Sequence, residues 1–568
     1  ILLWGLVLGL LAWLLERRVG DDDRLGVVAL GVVGVVSVFF FGMMASVANP
    51  FEVCTSAGAV GCLETSPWPF ADSVAPPEGR GPNPLLQNHI LMAIHRPMLY
   101  LGYVGLTAPF AFAISALLLS EPGNAWAART RRWTLGAWAF LTVGILLGGW
   151  WSYEVLGWGG YWGWDPVENA SFLPWLTATA FLHSVVVQLR RGVLQSWNFV
   201  LVIVTFALTI FGTFLTRSGS ITSVHSFTQS AVGPLLLGFF VLVVVVGLGL
   251  FASRAHLMAD RPRVESFASR EGAILLNNLL MTVWTATILV GTVYPILVEA
   301  FTGSTIGIGA GFFEATSGPI ALVLLLAIGV GQVTPWKASS RDVMVERLLV
   351  PALIAVAAGA LAAVFGLRDR AALVVLVLAV FAATPPMVLL VRQAISRPES
   401  LGRAMRLLVT NDRGYWGGML SHLGVAVLAL GIAGSAGMAT TADDVTLSID
   451  EPVPVAGHVL EYQSGFTETD DHRRVVGANI EVTRSSATVG IAQPALQDYG
   501  TQVIATPGVL TGPVRDVFVV LRSIDSAQVV VDVSVFPLQW MVWAGGLLIA
   551  AGGAWSFTAR RSRHEVAA

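Results

Sequence analysis

The sequence predicts an all-α polytopic membrane bundle of about 13 transmembrane helices carrying a small extracytoplasmic β domain. Three observations predict it. The 568 residues are 55% hydrophobic and only 12% charged, about half the charged fraction of a soluble protein. Apolar runs of about 20 residues recur along the chain, broken by short arginine-bearing loops. Between Gly437 and Pro537 the composition changes abruptly to alternating β-branched runs separated by Gly, Asp and Pro.

In chain order the expected spans are Ile1 to Leu15, Leu25 to Val47, Met98 to Leu119, Trp133 to Trp151 and Phe172 to Gln188. They continue with Val193 to Leu215, Val232 to Phe251, Ile274 to Val298, Gly318 to Val333 and Leu348 to Phe365. The last three are Ala371 to Val391, Trp416 to Ala436 and Leu538 to Trp555. Residues 1–436 thus read as the membrane domain, 437–537 as the β domain, and 538–568 as a final helix with a tail. The β assignment rests on the runs Val445-Thr-Leu-Ser-Ile, Ala478-Asn-Ile-Glu-Val-Thr, Val517-Phe-Val-Val-Leu and Val529-Val-Val-Asp-Val-Ser-Val, a pattern compatible with a barrel. The chain opens in mid-helix at Ile1, with no cleavable signal pattern and no initiator Met, so its true N-terminus is expected to lie upstream.

Arginine clusters at Arg17/Arg18/Arg24, Arg129/Arg131/Arg132, Arg190/Arg191, Arg254/Arg261/Arg263/Arg270, Lys337/Arg341/Arg347, Arg392/Arg397/Arg403/Arg406 and Arg560/Arg561/Arg563 fall in every second loop. By the positive-inside rule those loops are cytoplasmic and the alternate ones face outward. Arg368 and Arg370, in a short outward turn, run against the scheme. The net charge of −3 leaves no electrostatic footprint for nucleic acid. One outward loop, residues 49–96, holds both cysteines, Cys54 and Cys62. In an oxidising compartment the pair reads first as a disulfide and second as an exchanging thiol pair.

The most informative stretch is the outward loop 150–175, which holds six of the 19 tryptophans among glycines and three carboxylates, Glu154, Asp165 and Glu168. An interfacial aromatic belt spreads one or two such residues over each helix end. Six indoles in one glycine-rich loop point instead to a platform for a large planar ligand, because glycine admits close approach and indole offers a flat apolar face.

The nine histidines sort by depth. His95, just before the third expected span, and His225, in an outward loop, lie on the same side as the tryptophans and flank them in sequence. His183 and His422 each sit inside an apolar span. His183 precedes Arg190 by seven residues, roughly 10 Å along a helix, and His422 follows Arg413 by nine, roughly 13 Å. Two imidazoles at similar depth on different helices have two readings. One is a neutral histidine hydrogen-bonded to a neighbouring helix. The other is a pair of axial ligands gripping a haem inside the bundle. His89, His256, His458, His472 and His564 read as solvated. No phosphate-binding loop occurs, and no Cys-x-x-Cys-His site that would carry a c-type haem covalently.

Trp158-Gly-Gly-Tyr-Trp-Gly-Trp-Asp-Pro-Val-Glu-Asn-Ala-Ser171 resembles the tryptophan-rich "WWD" signature of haem-handling proteins in cytochrome c maturation, most closely the CcmF-type haem lyases. The resemblance extends along nearly the whole chain, through Asn83-Pro-Leu-Leu-Gln, His95-Arg-Pro-Met-Leu-Tyr, Leu182-His183-Ser, Gly212-Thr-Phe-Leu-Thr-Arg-Ser-Gly, Ser421-His422-Leu-Gly and the late β domain. Arg96 departs from it, standing where the family usually has a second proline.

The resemblance implies a haem lyase of the bacterial inner membrane, acting on the periplasmic side. Substrate haem would lie on Trp150, Trp151, Trp158, Gly159, Gly160, Trp162, Trp164, Asp165, Pro166, Glu168 and Asn169, with His95 and His225 as its axial ligands. His183 and His422 would hold a resident haem b as reductant, fed by a quinol. The implied partners are a haem chaperone of the CcmE type, an apocytochrome c and its thiol-handling presenter of the CcmH type. Asp165 and Glu168 are expected to cap the loop rather than move protons. Two related readings are a haem transporter of the same family and a paralogue serving multihaem nitrite reductase. A third is an unrelated transporter whose tryptophans form only an interfacial belt.

Overall fold

The computed structural model describes residues 1–20, 22–59, 61–75, 89–217, 232–258, 266–336, 338, 340–470, 473–500, 502–525 and 527–559. Helices α1 (Leu2–Glu16) and α2 (Arg24–Met44) form an antiparallel pair, followed by the hairpin β1 (Val53–Ala57) and β2 (Cys62–Ser66). A Cys54–Cys62 disulfide ties that hairpin. Then come α3 (Ile90–Gly105), α4 (Thr107–Leu118), α5 (Asn124–Val155), α6 (Pro166–Arg191), α7 (Gln195–Arg217) and α8 (Val232–Arg254). The second half holds α9 (Arg270–Thr302), α10 (Ala310–Gly331), α11 (Arg341–Val364), α12 (Arg370–Ile395), α13 (Leu401–Asn411) and α14 (Arg413–Ser435).

Among the described residues, twelve helical segments are long and apolar enough to cross a membrane, α3 and α4 counting as one 29-residue segment, while α1 is shorter. The protein is a multi-pass membrane protein. Helices such as α8 and α11 leave Val245, Val246, Leu353, Val356 and Leu361 exposed, as surfaces solvated by lipid require. Two features depart from the sequence expectation. The third span starts earlier, at Ile90, so that His95 lies within a helix rather than before one. Its polar His95-Arg96-Pro97 segment reads as loop in sequence, but His89 caps the helix by accepting from the Leu91 N–H at 3.3 Å. The arginine-bearing segment before α14 also contains a helix, α13. Leu401, Ala404, Met405 and Leu408 make its apolar stripe, with Arg403 and Arg406 on the polar side.

The C-terminal region begins with β3 (Thr440–Ser448), β4 (Val453–Val455), β5 (His458–Thr469), β6 (Arg474–Arg484) and β7 (Ala487–Ala492). It ends with β8 (Ala495–Asp498), β9 (Val503–Thr506), β10 (Gly508–Leu510), β11 (Arg515–Ile524), β12 (Gln528–Pro537) and the final helix α15 (Gln539–Phe557). All the strand pairs are antiparallel and form two sheets, β10-β11-β12-β3 and β4-β5-β6-β8-β9, with β7 also on β6. The sheets pack on a shared core, so the described strands form a sandwich of two sheets rather than one closed barrel. Alternate residues Val517, Val519 and Leu521 of β11 and Val529, Val531 and Val533 of β12 point into that core. The opposite face of β11, Phe518 and Val520, packs with Phe536 against Tyr153 at the end of α5. Buried on both faces, β11 joins the β sandwich to the membrane domain.

Helix α14 packs closely along α15. A Cβ on Gly424 would lie 2.6 Å from the Ile549 nitrogen, so only glycine permits this approach. Two residues earlier, His422 points about 200° around the helix from Gly424, away from α15.

Candidate functional site

Helices α5, α6, α9, α10, α14 and α15 enclose a cavity of about 1570 Å³, larger than the usual small-molecule pocket of roughly 300–1,000 Å³. Its walls carry Tyr161, Trp162 and Trp164 at the tryptophan-loop end, His183 and His422 farther in, and Arg131, Arg190 and Arg270 at the other end.

His183 and His422 meet across this cavity. Their ring centroids are 5.9 Å apart and their planes lie 16° from parallel. His183 Nδ1 lies 2.8 Å from the Thr179 carbonyl oxygen. That oxygen can only accept, so Nδ1 carries the proton and Nε2 keeps its lone pair. Thr179 is held in turn, its hydroxyl accepting from Trp138 Nε1 at 2.8 Å and donating to the Trp175 carbonyl at 2.7 Å. On α14, His422 Nδ1 is buried with no hydrogen-bond partner among the described residues. A buried ring nitrogen without a partner, on an imidazole so close to a second one, is unfavourable unless a further group satisfies it.

The tryptophan loop is a built structure. Asp165 caps α6 by accepting from the Val167 N–H at 2.8 Å. Glu168 reaches back and accepts from the Gly163 and Asp165 N–H groups at 2.9 and 3.0 Å. Together they form a capping box, with Pro166 at the first helical position. Trp164 adopts a left-handed φ of 56°, a conformation that costs an L-residue energy. Asn169 holds it there, donating from Nδ2 to the Trp164 carbonyl and to Thr292 Oγ1, each at 3.1 Å. Asp165, Glu168 and Asn169 are therefore occupied in shaping the loop.

The six indoles divide. Trp151 is 2% exposed and offers no face to a docked ring, which corrects its expected place on the platform. Trp150 stacks on Trp543 at 5.3 Å and donates to Glu154 Oε1 at 2.6 Å. Trp175 lies deeper, stacked between Phe172 and Trp138. Trp162 and Trp164 meet edge to face and line the cavity with Gly159 and Gly160. Trp158, 40% exposed, lies over Gly163 on the outer surface of the loop.

His95 Nδ1 is 2.7 Å from the Gly144 carbonyl, and its ring presses on Gly148. His225, like Asn83-Pro-Leu-Leu-Gln, lies outside the described residues. Sequence reasoning missed His89, read as solvated, whose Nε2 lies 2.8 Å from Glu154 Oε2. The Trp150–Glu154–His89 chain thus ties the head of α3 to the end of α5. The available signal was the position of His89 immediately before an apolar span, where a helix cap belongs. His458, also read as solvated, is buried in the β sandwich, and burial holds its imidazole below the usual range.

Comparisons with known proteins agree with this architecture. A family model described as "Cytochrome C assembly protein" matches residues 1–223. The chain is 36% identical over 574 residues to the cytochrome c-type biogenesis protein CcmF of Pseudomonas aeruginosa, covering 100% of this chain and 83% of that protein. It is 34% identical to CcmF of Escherichia coli over 528 residues, covering 92% and 77%. It is also 32% identical to the cytochrome c-type biogenesis protein NrfE of Haemophilus influenzae over 503 residues, covering 86% and 76%. A solved structure named "Cytochrome c Heme Lyase CcmF" matches with a TM-score of 0.78 at 32% identity, covering 98% of this chain and 82% of that one.

Proposed function

The chain belongs to the CcmF family of cytochrome c-type biogenesis proteins, and from that membership we propose that it is a cytochrome c haem lyase working at its tryptophan loop. Substrate haem arrives from a periplasmic chaperone of the CcmE type, and an apocytochrome c is presented with its Cys-x-x-Cys-His thiols reduced by a CcmH-type partner. Each thiol S–H adds across one vinyl C=C of the haem. The sulfur bonds to one vinyl carbon, the hydrogen goes to the other, and nothing is oxidised.

No strong acid or base is needed for that addition, and Asp165 and Glu168 are already committed to the capping box. The protein contributes orientation, which holds the vinyl groups and thiols in reach of one another. Trp162 and Trp164 give apolar faces at the cavity mouth, with Trp158 above them on the loop. His95 is one axial ligand of the substrate haem and His225 the other. The NrfE relative leaves the identity of the receiving cytochrome open between single-haem and multihaem acceptors.

His183 and His422 hold a resident haem b. The residues fit that group: one ring has its tautomer fixed by a carbonyl, as metal-bound histidines do. The other ring's buried nitrogen lacks a partner among the described residues. A separation of 5.9 Å between ring centroids leaves room for a metal to bond both imidazoles. When bound, such a haem would pass one electron at a time from a quinol to the iron of the substrate haem, keeping that iron reduced, while the thiol addition itself stays redox-neutral. No third imidazole lines the cavity among the described residues, which favours two separate haems over a ladder for transport.

The observation that carries this proposal is the approach of His183 to His422 in a cavity that reaches the tryptophan loop. The test is an absorption spectrum of the purified protein beside a cytochrome c maturation assay. A bis-imidazole b-type spectrum is expected, lost in His183→Ala and in His422→Ala but kept in His95→Ala, which loses maturation instead. Retention of the spectrum in both of the first two variants rejects the ligand assignment.

A further inference from the structure

The arginine end of the cavity is unused by the lyase reading. Arg190 follows His183 by seven residues on α6, and Tyr415 precedes His422 by seven on α14. Seven residues are nearly two full turns, so each pair shares a helix face and is separated by roughly 10.5 Å along the axis. The helices run in opposite senses, and Arg190 and Tyr415 line the same end of the cavity. Arg270, at the start of α9, joins them there.

Arg190 and Arg270 flank the Trp336 ring, with their guanidinium carbons 4.9 and 5.1 Å from its centroid. Arg270 is oriented by the Thr334 and Gln332 carbonyls at 3.0 and 2.9 Å. Arg190 has no carboxylate within ion-pair distance among the described residues, and the buried Tyr415 hydroxyl has no hydrogen-bond partner among them. The nearby acids are engaged elsewhere: Asp412 caps α14 through the Tyr415 N–H at 3.1 Å, and Glu271 pairs with Arg191 at 2.5 Å. Two guanidinium groups on either side of one indole, Arg270 held by two carbonyls, and a buried hydroxyl unsatisfied among the described residues form a site for carboxylate. The cavity wall carries two acidic residues, Glu314 toward the loop end and Asp412 at the arginine end, where Arg131, Arg190 and Arg270 outnumber it, so the arginine end is the one that favours an anionic ligand.

We propose that Arg190, Arg270 and Tyr415 bind the two propionate carboxylates of a haem held between His183 and His422. The charged edge of that macrocycle then points away from the tryptophan loop, and its apolar edge points toward it. The assignment rests on the bis-imidazole site proposed above.

The test compares binding of iron protoporphyrin and of its dimethyl ester, which lacks both carboxylates, to full-length protein purified from haem-deficient cells. The wild type is expected to prefer the free acid at least tenfold. The Arg190→Gln/Arg270→Gln variant is expected to bring that ratio within threefold while keeping the bis-imidazole spectrum. Its midpoint potential should fall by a tenfold change in the reduction equilibrium, which for one electron is 59 mV, because two cations no longer favour the added electron. Equal wild-type affinity for acid and ester, a comparison that needs no variant to fold, overturns the proposal. So does an unchanged ratio in the double variant, the result expected if these arginines hold a lipid phosphate instead. Absence of the bis-imidazole spectrum from the wild type marks a failure of the ligand assignment and takes the proposal with it.

Discussion

The Tyr153 hydroxyl, near the end of α5, donates to an Asp516 carboxylate oxygen at 3.2 Å, and both residues are buried where β11 meets the membrane domain. Around this bond Phe518, Val520 and Phe536 close over the Tyr153 ring. The next loop residues are pressed as tightly, since a Cβ on Gly157 would lie 2.7 Å from the Ala505 carbonyl oxygen in β9. From the other side, Tyr161 stands 3.3 Å from Ser435 at the end of α14. The β sandwich therefore acts as a clamp on the outgoing limb of the tryptophan loop.

Tyr153→Phe keeps the ring and removes the hydroxyl. Asp516 then keeps the Gly512 N–H at 3.1 Å but loses a bond inside a buried interface, worth about 1–3 kcal/mol. We expect faster proteolysis of the β region in detergent and a severalfold loss of cytochrome c maturation, with the spectrum of the protein unchanged. Equal protease resistance of variant and wild type would contradict the clamp.

Asp516 also gives that clamp a pH dependence of known sign. Burial raises its carboxyl above the ordinary range, and the bonds from Gly512 and Tyr153 only partly offset the shift. A folded-state value above the unfolded one means that its contribution to stability is full below about pH 3.9 and is lost as pH rises through the folded value. Asp516→Asn removes the titration and keeps one acceptor oxygen, for the Gly512 N–H, while its amide NH2 replaces the oxygen that accepts from Tyr153, so the comparison is of the slopes with pH and not of absolute stability. Thermal unfolding from roughly pH 4 to 7 should show the wild type losing stability relative to the variant as pH rises. Parallel curves would show that the carboxyl is not perturbed by folding.

Glu168 satisfies two loop N–H groups with one carboxylate oxygen, at Gly163 and Asp165. Glu168→Ala leaves both without that acceptor and is expected to cost about 1–2 kcal/mol. Glu168→Gln keeps a side-chain oxygen and should lose less. If the residue acted by proton transfer, Gln would be as damaging to maturation as Ala. The capping role predicts graded losses, read as maturation rate beside loop tryptophan fluorescence.

The spans were legible because membrane solvation forces long apolar runs, and every expected span coincides with helix. His183 and His422 were legible as a pair because depth can be counted from the flanking arginines. Other assignments failed where tertiary packing decides. Trp151 and Trp158 look alike in a tryptophan-rich string, yet one is core and the other surface. The polar segment around His95 folds as helix because α5 offers it the Gly144 carbonyl and the bare backbone of Gly148, neither of which has a signature near residue 95. The amphipathic α13 was hidden by its arginines, which serve topology and helix amphipathicity at once. The clamp could not be read at all, since 363 residues separate Tyr153 from Asp516.

The packing of His95 on Gly148 provides the most selective test of the outer site. A Cβ at residue 148 would lie 2.7 Å from His95 Cε1, closer than real Cβ contacts allow, so Gly148→Ala must displace the imidazole from the Gly144 carbonyl. Alanine is a better helix former than glycine, so α5 itself should persist. His183 sits on another helix, deeper in the cavity. The variant should therefore keep the bis-imidazole spectrum while maturation falls to the level of His95→Ala. Since both changes act on one contact, the double variant should be no worse than either single one. Additive losses in that cycle would mean that Gly148 serves something other than the placement of His95.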